Sequence, residues 1–238
     1  MKIIDFILDW IYPPTCISCK NLLDLNNKPQ RYLWLCSICE GLFEPIDENT
    51  CNICGKPTQY NICESCRSKK FYFDKNTAIY IYGDLIRDLL LSMKFRNKKH
   101  IAIGLGRLMA KQINEIPQDA VLVPLPMHKK KQSERGFNQA NIMADCIGEV
   151  YNIPIEKILI RIRDTPPQHG LHPAMRIENV NNAFDIKEGF CANDKHIIII
   201  DDIFTSGSSI NECARVLKQH GAKRVDSITL CVVQNKGK

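Results

Sequence analysis

Four Cys-x-x-Cys pairs, Cys16/Cys19, Cys36/Cys39, Cys51/Cys54 and Cys63/Cys66, fall within the first 66 residues, and no other feature restricts the fold as tightly. A two-residue gap makes a strained, reducible disulfide, whereas it lets two thiolates reach one tetrahedral ion from a tight knuckle. The pairs are separated by 16, 11 and eight residues, and eight thiolates suit two ions with four cysteine ligands each. Sequential pairing, first with second and third with fourth, makes each segment a self-contained hairpin and is preferred to a cross-braced one. Iron–sulfur clusters are the rival occupant, but they need no such ribbon spacing. The segment is too short and polar to build its own core, so metal supplies its folding energy. The reading is two structural Zn2+ ions and a reducing cytosol. The remaining cysteines, Cys146, Cys191, Cys213 and Cys231, fall in predicted helices or strands and read as core, and none of the six histidines shows ligand pairing.

The knuckles cease near Phe71–Asn76, which predicts a small N-terminal Cys-rich zinc-ribbon domain, residues 1–75, packed directly on a domain of residues 76–238. Ile3, Ile7 and Trp10 mark a short amphipathic helix ended by Pro13 and Pro14. Asp5 and Asp9 inside that stretch, and the lack of a small-residue cleavage site, argue against a secretory signal. No apolar run approaches the roughly 20 residues of a bilayer span. From residue 76 onward strands and helices alternate. Strands are predicted at Thr77–Tyr82, Ala120–Pro124, Lys157–Arg161, Ala183–Ile186, His196–Ile200 and Val225–Val233. Helices are predicted at Asp84–Met93, Ile101–Ile116, Asn138–Tyr151 and Ser209–Gln219, with a basic loop after Pro124. That pattern gives an α/β fold with a doubly wound, mostly parallel sheet, whose ligands bind at the carboxyl ends of the strands.

Charge follows the same division. Residues 1–75 carry nine Lys/Arg and nine Asp/Glu, leaving 23 against 17 for residues 76–238, so the whole net charge of +6 lies on the second part. It is concentrated in Lys94, Arg96, Lys98 and Lys99, and in Lys129, Lys130 and Lys131. Such runs are either a solvated face or a site for phosphate, pyrophosphate or a nucleic-acid backbone.

The stretch Ile197-Ile198-Ile199-Ile200-Asp201-Asp202-Ile203-Phe204-Thr205-Ser206-Gly207-Ser208-Ser209 carries the most chemistry. Four buried β-branched residues deliver two carboxylates to the sheet edge, and five small or hydroxylic residues precede a helix. Ser209 and Glu212 suit a capping box. Backbone N–H groups there, with the hydroxyls of Thr205, Ser206, Ser208 and Ser209, form a nest for a phosphate dianion, and Gly207 lets the backbone approach. The carboxylates cannot bind phosphate, so they must hold sugar hydroxyls or a divalent cation. No Gly-x-x-x-x-Gly-Lys-[Ser/Thr] loop accompanies them, which argues against a P-loop nucleotidase.

This stretch resembles the ribose-phosphate motif of type I phosphoribosyltransferases, whose ligand is 5-phosphoribosyl-1-pyrophosphate (PRPP). The resemblance implies that Thr205–Ser209 cradle the 5-phosphate and that Asp201 and Asp202 meet the ribose hydroxyls, with Mg2+ accompanying PRPP. Val123-Pro124-Leu125-Pro126-Met127-His128 with Arg135-Gly136-Phe137-Asn138-Gln139, the segment Arg161–Leu171, Arg176, Lys94-Phe95-Arg96 and Asp9–Cys19 all resemble the ComF (ComFC-type) competence family. That likeness runs in order over nearly the whole chain. It places Arg135 and Gly136 at the pyrophosphate, where a guanidinium gives bidentate contacts. Arg161–Val180 is too long and polar for a compact connection, which predicts a mobile lid over the site worked by Arg163, Gln168 and Arg176.

The family implies a cytoplasmic factor for natural transformation that meets single-stranded DNA through the basic residues. It also implies work with competence machinery such as a DNA-translocating helicase, and peripheral contact with the inner face of the membrane through those partners. The alternative is a catalytic phosphoribosyltransferase of nucleobase salvage, for which Asp201, Asp202 and Arg135 would be the catalytic residues. No base-recognition motif accompanies them.

Overall fold

The computed structural model describes residues 13–24, 34–46, 49–165 and 178–234. The expected N-terminal helix around Ile3, Ile7 and Trp10, and Gln168 and Arg176 of the expected lid, lie outside these residues.

Two one-turn helices, α1 (Ser37–Glu40) and α2 (Glu64–Arg67), belong to the cysteine-rich part. The α/β part follows as β1 (Lys75–Ile81), α3 (Asp84–Phe95), α4 (Lys99–Gln112), β2 (Ala120–Pro124), α5 (Lys129–Arg135) and α6 (Gln139–Tyr151). It continues with β3 (Leu159–Arg161), β4 (Phe184–Ile186), β5 (His196–Phe204), α7 (Ser208–Gln219) and β6 (Arg224–Val232). The main sheet has the order β1-β6-β5-β2, and every pairing in it is parallel. β3 and β4 form a separate antiparallel ribbon.

β5 shows why this sequence gives a central strand. Side chains alternate between faces of a sheet. Ile198 and Ile200 enter one core with Leu90, Leu105, Met143 and Ile147, while Ile197 and Ile199 enter a second with Ile210, Ala214 and Leu217. Helices α3, α4 and α6 thus cover one face and α7 the other. A strand buried on both faces reads as a continuous apolar run.

The cysteine-rich part packs directly on the α/β part, onto both of its layers. Cys16, Ile17, Leu23 and Leu35 join the first core, and Cys51, Cys54, Cys66 and Phe73 the second. It also closes the free edge of β1. Ile46 N–H donates to the Ile79 carbonyl at 3.1 Å, and Ile81 N–H donates to the Glu44 carbonyl at 2.9 Å. The opposite edge, β2, is covered by Leu122 N–H donating to Pro154 O and Glu156 N–H donating to Leu122 O, both at 2.9 Å.

Four expectations need correction. Cys191, read as core, is exposed outside any helix or strand, whereas Cys146, Cys213 and Cys231 are buried. The basic stretch after Pro124 is not a loop throughout, because Lys129–Arg135 forms α5, capped by His128 and ended by Gly136 in the left-handed region. β5 does not end at Ile200 but runs on through Asp201 and Asp202 to Phe204, paired with β6 as far as Val232. The capping box is absent: α7 begins at Ser208, its N-cap is Gly207, and no side chain caps it. Glu212 is instead drawn away, accepting from Asn182 N–H at 2.8 Å and pairing with Arg215.

Candidate phosphoribosyl site and cysteine centres

The carboxyl ends of the parallel strands lie along one sheet edge, and the sequence-predicted phosphate loop lies there. Asp201 and Asp202 are both buried. Asp201 Oδ1 accepts from the Asp202 backbone N–H at 2.8 Å. Lys94 Nζ, near the end of α3, lies 2.5 Å from Asp202 Oδ2, and Gln139 Nε2, in the first turn of α6, donates to Asp202 Oδ1 at 3.4 Å. Arg135 Nη1 donates to Gln139 Oε1 at 2.8 Å, so a polar chain runs from Arg135 through Gln139 to Asp202 and Lys94.

These contacts divide the two acids. Burial, reinforced by the neighbouring Asp202 charge, holds Asp201 well above the usual carboxylate range. Burial pushes Asp202 the same way, but the charge and hydrogen bond of Lys94 overcome it and hold Asp202 below that range. Burial thus favours the protonated form of Asp201, while Lys94 favours the carboxylate form of Asp202. Burial lowers the Arg135 pKa while the Asp202 charge opposes that, and the group remains a cation.

A third cation approaches from the other layer. Arg161, on β3, stacks on the Phe184 ring with its guanidinium carbon 5.3 Å from the ring centre. It binds the Thr165 hydroxyl, and its charge reaches Asp201 and Asp164. Its Nε is buried with no hydrogen-bond partner. A half-buried guanidinium with a buried, unpartnered Nε and no close carboxylate among the described residues leaves the site electrostatically suited to an anion.

Thr205–Ser209 follow β5 directly. Gly207 has φ of 75°, and a Cβ built there would lie 2.5 Å from Phe204 Cζ. The hydroxyls of Ser206 and Ser208 are 2.7 Å apart, and Asn211 N–H donates to the Gly207 carbonyl at 2.7 Å as α7 begins. Gly207→Ala is expected to lower stability by about 1–3 kcal/mol, from the left-handed backbone and the clash together. Thermal denaturation of the variant reads this as a fall of a few degrees in the midpoint.

Sequence reasoning is redrawn at several positions. Lys94, grouped with the nucleic-acid face, points inward to Asp202; its place one helical turn beyond Leu90 is the signal that could have shown this. Gln139 and Arg161 are site residues that sequence reasoning misses. Arg96, Lys99, Lys129 and Lys130 are exposed and Lys98 is half-buried, whereas Lys131 donates to the Thr165 carbonyl at 2.6 Å and lies 3.5 Å from Asp164. Gly136 is exposed with φ of 77°, and Arg163 donates to the Asn181 carbonyl at 2.6 Å.

The cysteines gather into two sets, Cys16/Cys19/Cys36/Cys39 and Cys51/Cys54/Cys63/Cys66, with all Sγ atoms of a set within 4.8 Å of one another. This is the sequential pairing. Cys19 and Cys36 Sγ are 3.7 Å apart, and Cys54 and Cys63 Sγ 3.6 Å. Four sulfurs at about 2.3 Å from a tetrahedral zinc stand about 3.8 Å from each other, so both sets fit that ion. Backbone N–H groups face the sulfurs, from Cys36 to Cys16 Sγ and from Cys63 to Cys51 Sγ, both at 3.4 Å, which steadies thiolates. The second set is tied to the sheet by Asn76, whose amide donates to the Cys54 carbonyl at 2.9 Å and accepts from Ser227 at 2.8 Å.

Residues 7–68 match the family model of the double zinc ribbon domain, and residues 97–238 match that of the phosphoribosyl transferase domain. The chain is 27% identical over 222 residues to Competence protein F of Haemophilus influenzae, covering 88% of this chain and 93% of that protein. It is 27% identical over 219 residues to Competence protein ComFC of Bacillus subtilis, covering 82% and 83%. It is 26% identical over 229 residues to DNA utilization protein YhgH of Escherichia coli, covering 92% and 97%. Among the described residues no helix is long and apolar enough to cross a membrane. The chain belongs to the phosphoribosyl transferase domain family, in its ComF type, which joins that domain to an N-terminal double zinc ribbon.

Proposed function

We propose that this protein is a ComF-like competence factor that supports uptake or processing of single-stranded DNA in the cytosol and holds PRPP or a related ribose phosphate at the end of β5. The observation that carries the ligand reading is the buried Asp201–Asp202 pair leading into Thr205–Ser209, with Lys94, Arg135 and Arg161 gathered around the acids. The start of α7 and the hydroxyls of Thr205, Ser206, Ser208 and Ser209 take the 5-phosphate. Asp201 and Asp202 take the ribose hydroxyls, and Arg135, beside Gly136, takes the pyrophosphate.

Asp201 and Asp202 also offer the oxygen donors that Mg2+ needs, and that ion would screen the pyrophosphate charge. The Lys94 ammonium already engages Asp202, so the ion and the lysine compete for one carboxylate. Relatives named as competence and DNA utilization proteins support the nucleic-acid half of the reading. Arg96, Lys98, Lys99, Lys129 and Lys130 supply its phosphate contacts, and a DNA-translocating helicase at the inner face of the membrane is the partner such a factor would serve.

The cations around the acids also favour a second reading, catalytic phosphoribosyl transfer. There the bond from ribose C1 to pyrophosphate breaks with its electron pair leaving on pyrophosphate, a base nitrogen bonds to C1 and gives up its proton to the departing pyrophosphate or solvent, and Lys94, Arg135 and Arg161 neutralise the departing charge.

Calorimetric titration of PRPP with Mg2+ into the zinc-loaded protein tests the pocket. Binding is expected, together with its loss in Asp201→Ala/Asp202→Ala while two zinc ions per chain remain. No binding in folded protein would overturn the pocket assignment. Release of pyrophosphate upon addition of a common nucleobase would decide for the second reading.

A further inference from the structure

Lys94 and Phe95 are consecutive and point apart. Lys94 turns into the site, while Phe95 stands 78% exposed, more than any other large hydrophobic side chain among the described residues. Phe95 ends α3 at a fixed corner. Arg96 N–H donates to the Ser92 carbonyl at 3.0 Å, Asn97 takes a left-handed φ of 51°, and α4 starts at Lys99. Asn97 Nδ2 donates to the Glu134 carbonyl at 3.3 Å, which braces the corner against α5. Arg96, Lys98 and Lys99 surround it, and the first turn of α4 carries no acidic residue.

One exposed aromatic ring is ordinary on a protein surface. Phe95 stands among cations, and a second aromatic pair lies further along α4. The Trp34 ring, beside the first cysteine set, lies 6.5 Å from that of His100, and the Arg107 guanidinium carbon is 5.8 Å from the Trp34 ring centre. Burial lowers the His100 pKa, and so do the charges of Lys20 and Lys98, which places both lysines within its electrostatic reach. The first zinc ribbon therefore meets the start of α4 at His100, close in the chain to the corner that Phe95 ends.

Resting on the nucleic-acid half of the proposed function, we infer that the α3–α4 corner is the platform for single-stranded nucleic acid, with Phe95 stacking on a base. Stacked bases need an open π-surface, which Phe95 offers and which a duplex would not engage because its base faces are already stacked. Arg96, Lys98 and Lys99 meet the flanking phosphates. The platform lies one residue from the cation of the ribose-phosphate site, so the two ligands meet on either side of a single helix end.

Fluorescence anisotropy of the full-length, zinc-loaded protein with a labelled oligothymidylate of about 20 nucleotides tests this. Phe95→Ala and Phe95→Leu are expected to weaken binding about tenfold, Phe95→Trp to preserve it, and none to alter PRPP binding. Lys98→Gln with Lys99→Gln is expected to flatten the dependence of log affinity on log salt by about 1.4, from about 0.7 for each phosphate no longer neutralised. Wild-type protein that fails to bind the oligonucleotide would overturn the nucleic-acid reading and the platform together. Wild-type binding that both Phe95→Ala and Phe95→Leu leave unchanged would overturn the platform alone.

Discussion

Cys51→Ser is expected to reduce bound zinc from two ions per chain to one and to lower the thermal midpoint by about 10–20 °C. A structural zinc site contributes apparent folding energies of about 10–16 kcal/mol in small zinc domains, and a serine hydroxyl does not replace a thiolate ligand. Losing even about 5 kcal/mol of this shifts a domain of this size by that range. The damage reaches beyond the ribbon because Cys51 is fully buried in the core beneath α7, shared with Phe73, Phe204 and Leu217. Asn76 loses its Cys54 partner, and the hydroxyls of Ser227 and Thr229 lose a well-placed acceptor. Hydrogen exchange should therefore accelerate along β1 and β6, with metal content read by atomic spectroscopy. Two ions retained, or exchange confined to residues 49–68, would show that the ribbon and sheet fold independently.

Lys94→Met is the second large effect. Breaking a buried ion pair by removing one partner costs about 3–5 kcal/mol, and the 24% exposure of the Lys94 side chain brings this to about 2–4 kcal/mol. The midpoint falls by about 5–12 °C near neutral pH. The pH dependence identifies the cause. Asp202 has a depressed pKa in the folded protein, so its contribution is present above the unfolded carboxylate pKa and is lost as pH falls through the lower folded value. Asp201 is displaced upward, so its ionisation opposes folding as pH rises from the unfolded carboxylate pKa to its own higher one. Without Lys94 the depression of Asp202 disappears, and the gap between wild type and variant should close on acidification through the ordinary carboxylate range. Mg2+ should stabilise the variant more than the wild type, because the carboxylate it competes for is free. A gap independent of pH, with equal response to Mg2+, would assign the loss to packing.

Legibility in the sequence followed the strength of the physical signal. Ala120–Pro124 was readable residue for residue, since an apolar run bounded by Gln118-Asp119 and a proline-rich loop has few other uses. The four Cys-x-x-Cys knuckles followed from ligand spacing, and their sequential grouping from the preference for self-contained hairpins over a cross-braced arrangement. α5 was illegible because Lys-Lys-Lys-Gln-Ser-Glu-Arg has no apolar face and buries no residue, so periodicity is silent. The end of β5 was misplaced because two acids normally mark an exit from a strand, whereas here Lys94 and Gln139, distant in sequence, make their burial tolerable. The capping box was removed by one distant and one local partner: Asn182, thirty residues away, and Arg215, three residues on along α7, claim Glu212. Lys94 itself was hidden by its neighbours, because a run of cations reads as surface although helical spacing puts one of them on the inner stripe.

The strip of chain at residues 44–46 that lies along β1 bears on how the protein can be cut. Bare strand edges invite pairing with other chains, and natural proteins cover them. Here one cover belongs to the cysteine-rich part and the other to the 154–156 turn. A fragment beginning at residue 76 would keep the phosphate loop and every cation of its site but present β1 as an open template. Such a fragment would self-associate by strand addition, and a soluble minimal protein has to begin ahead of Glu44.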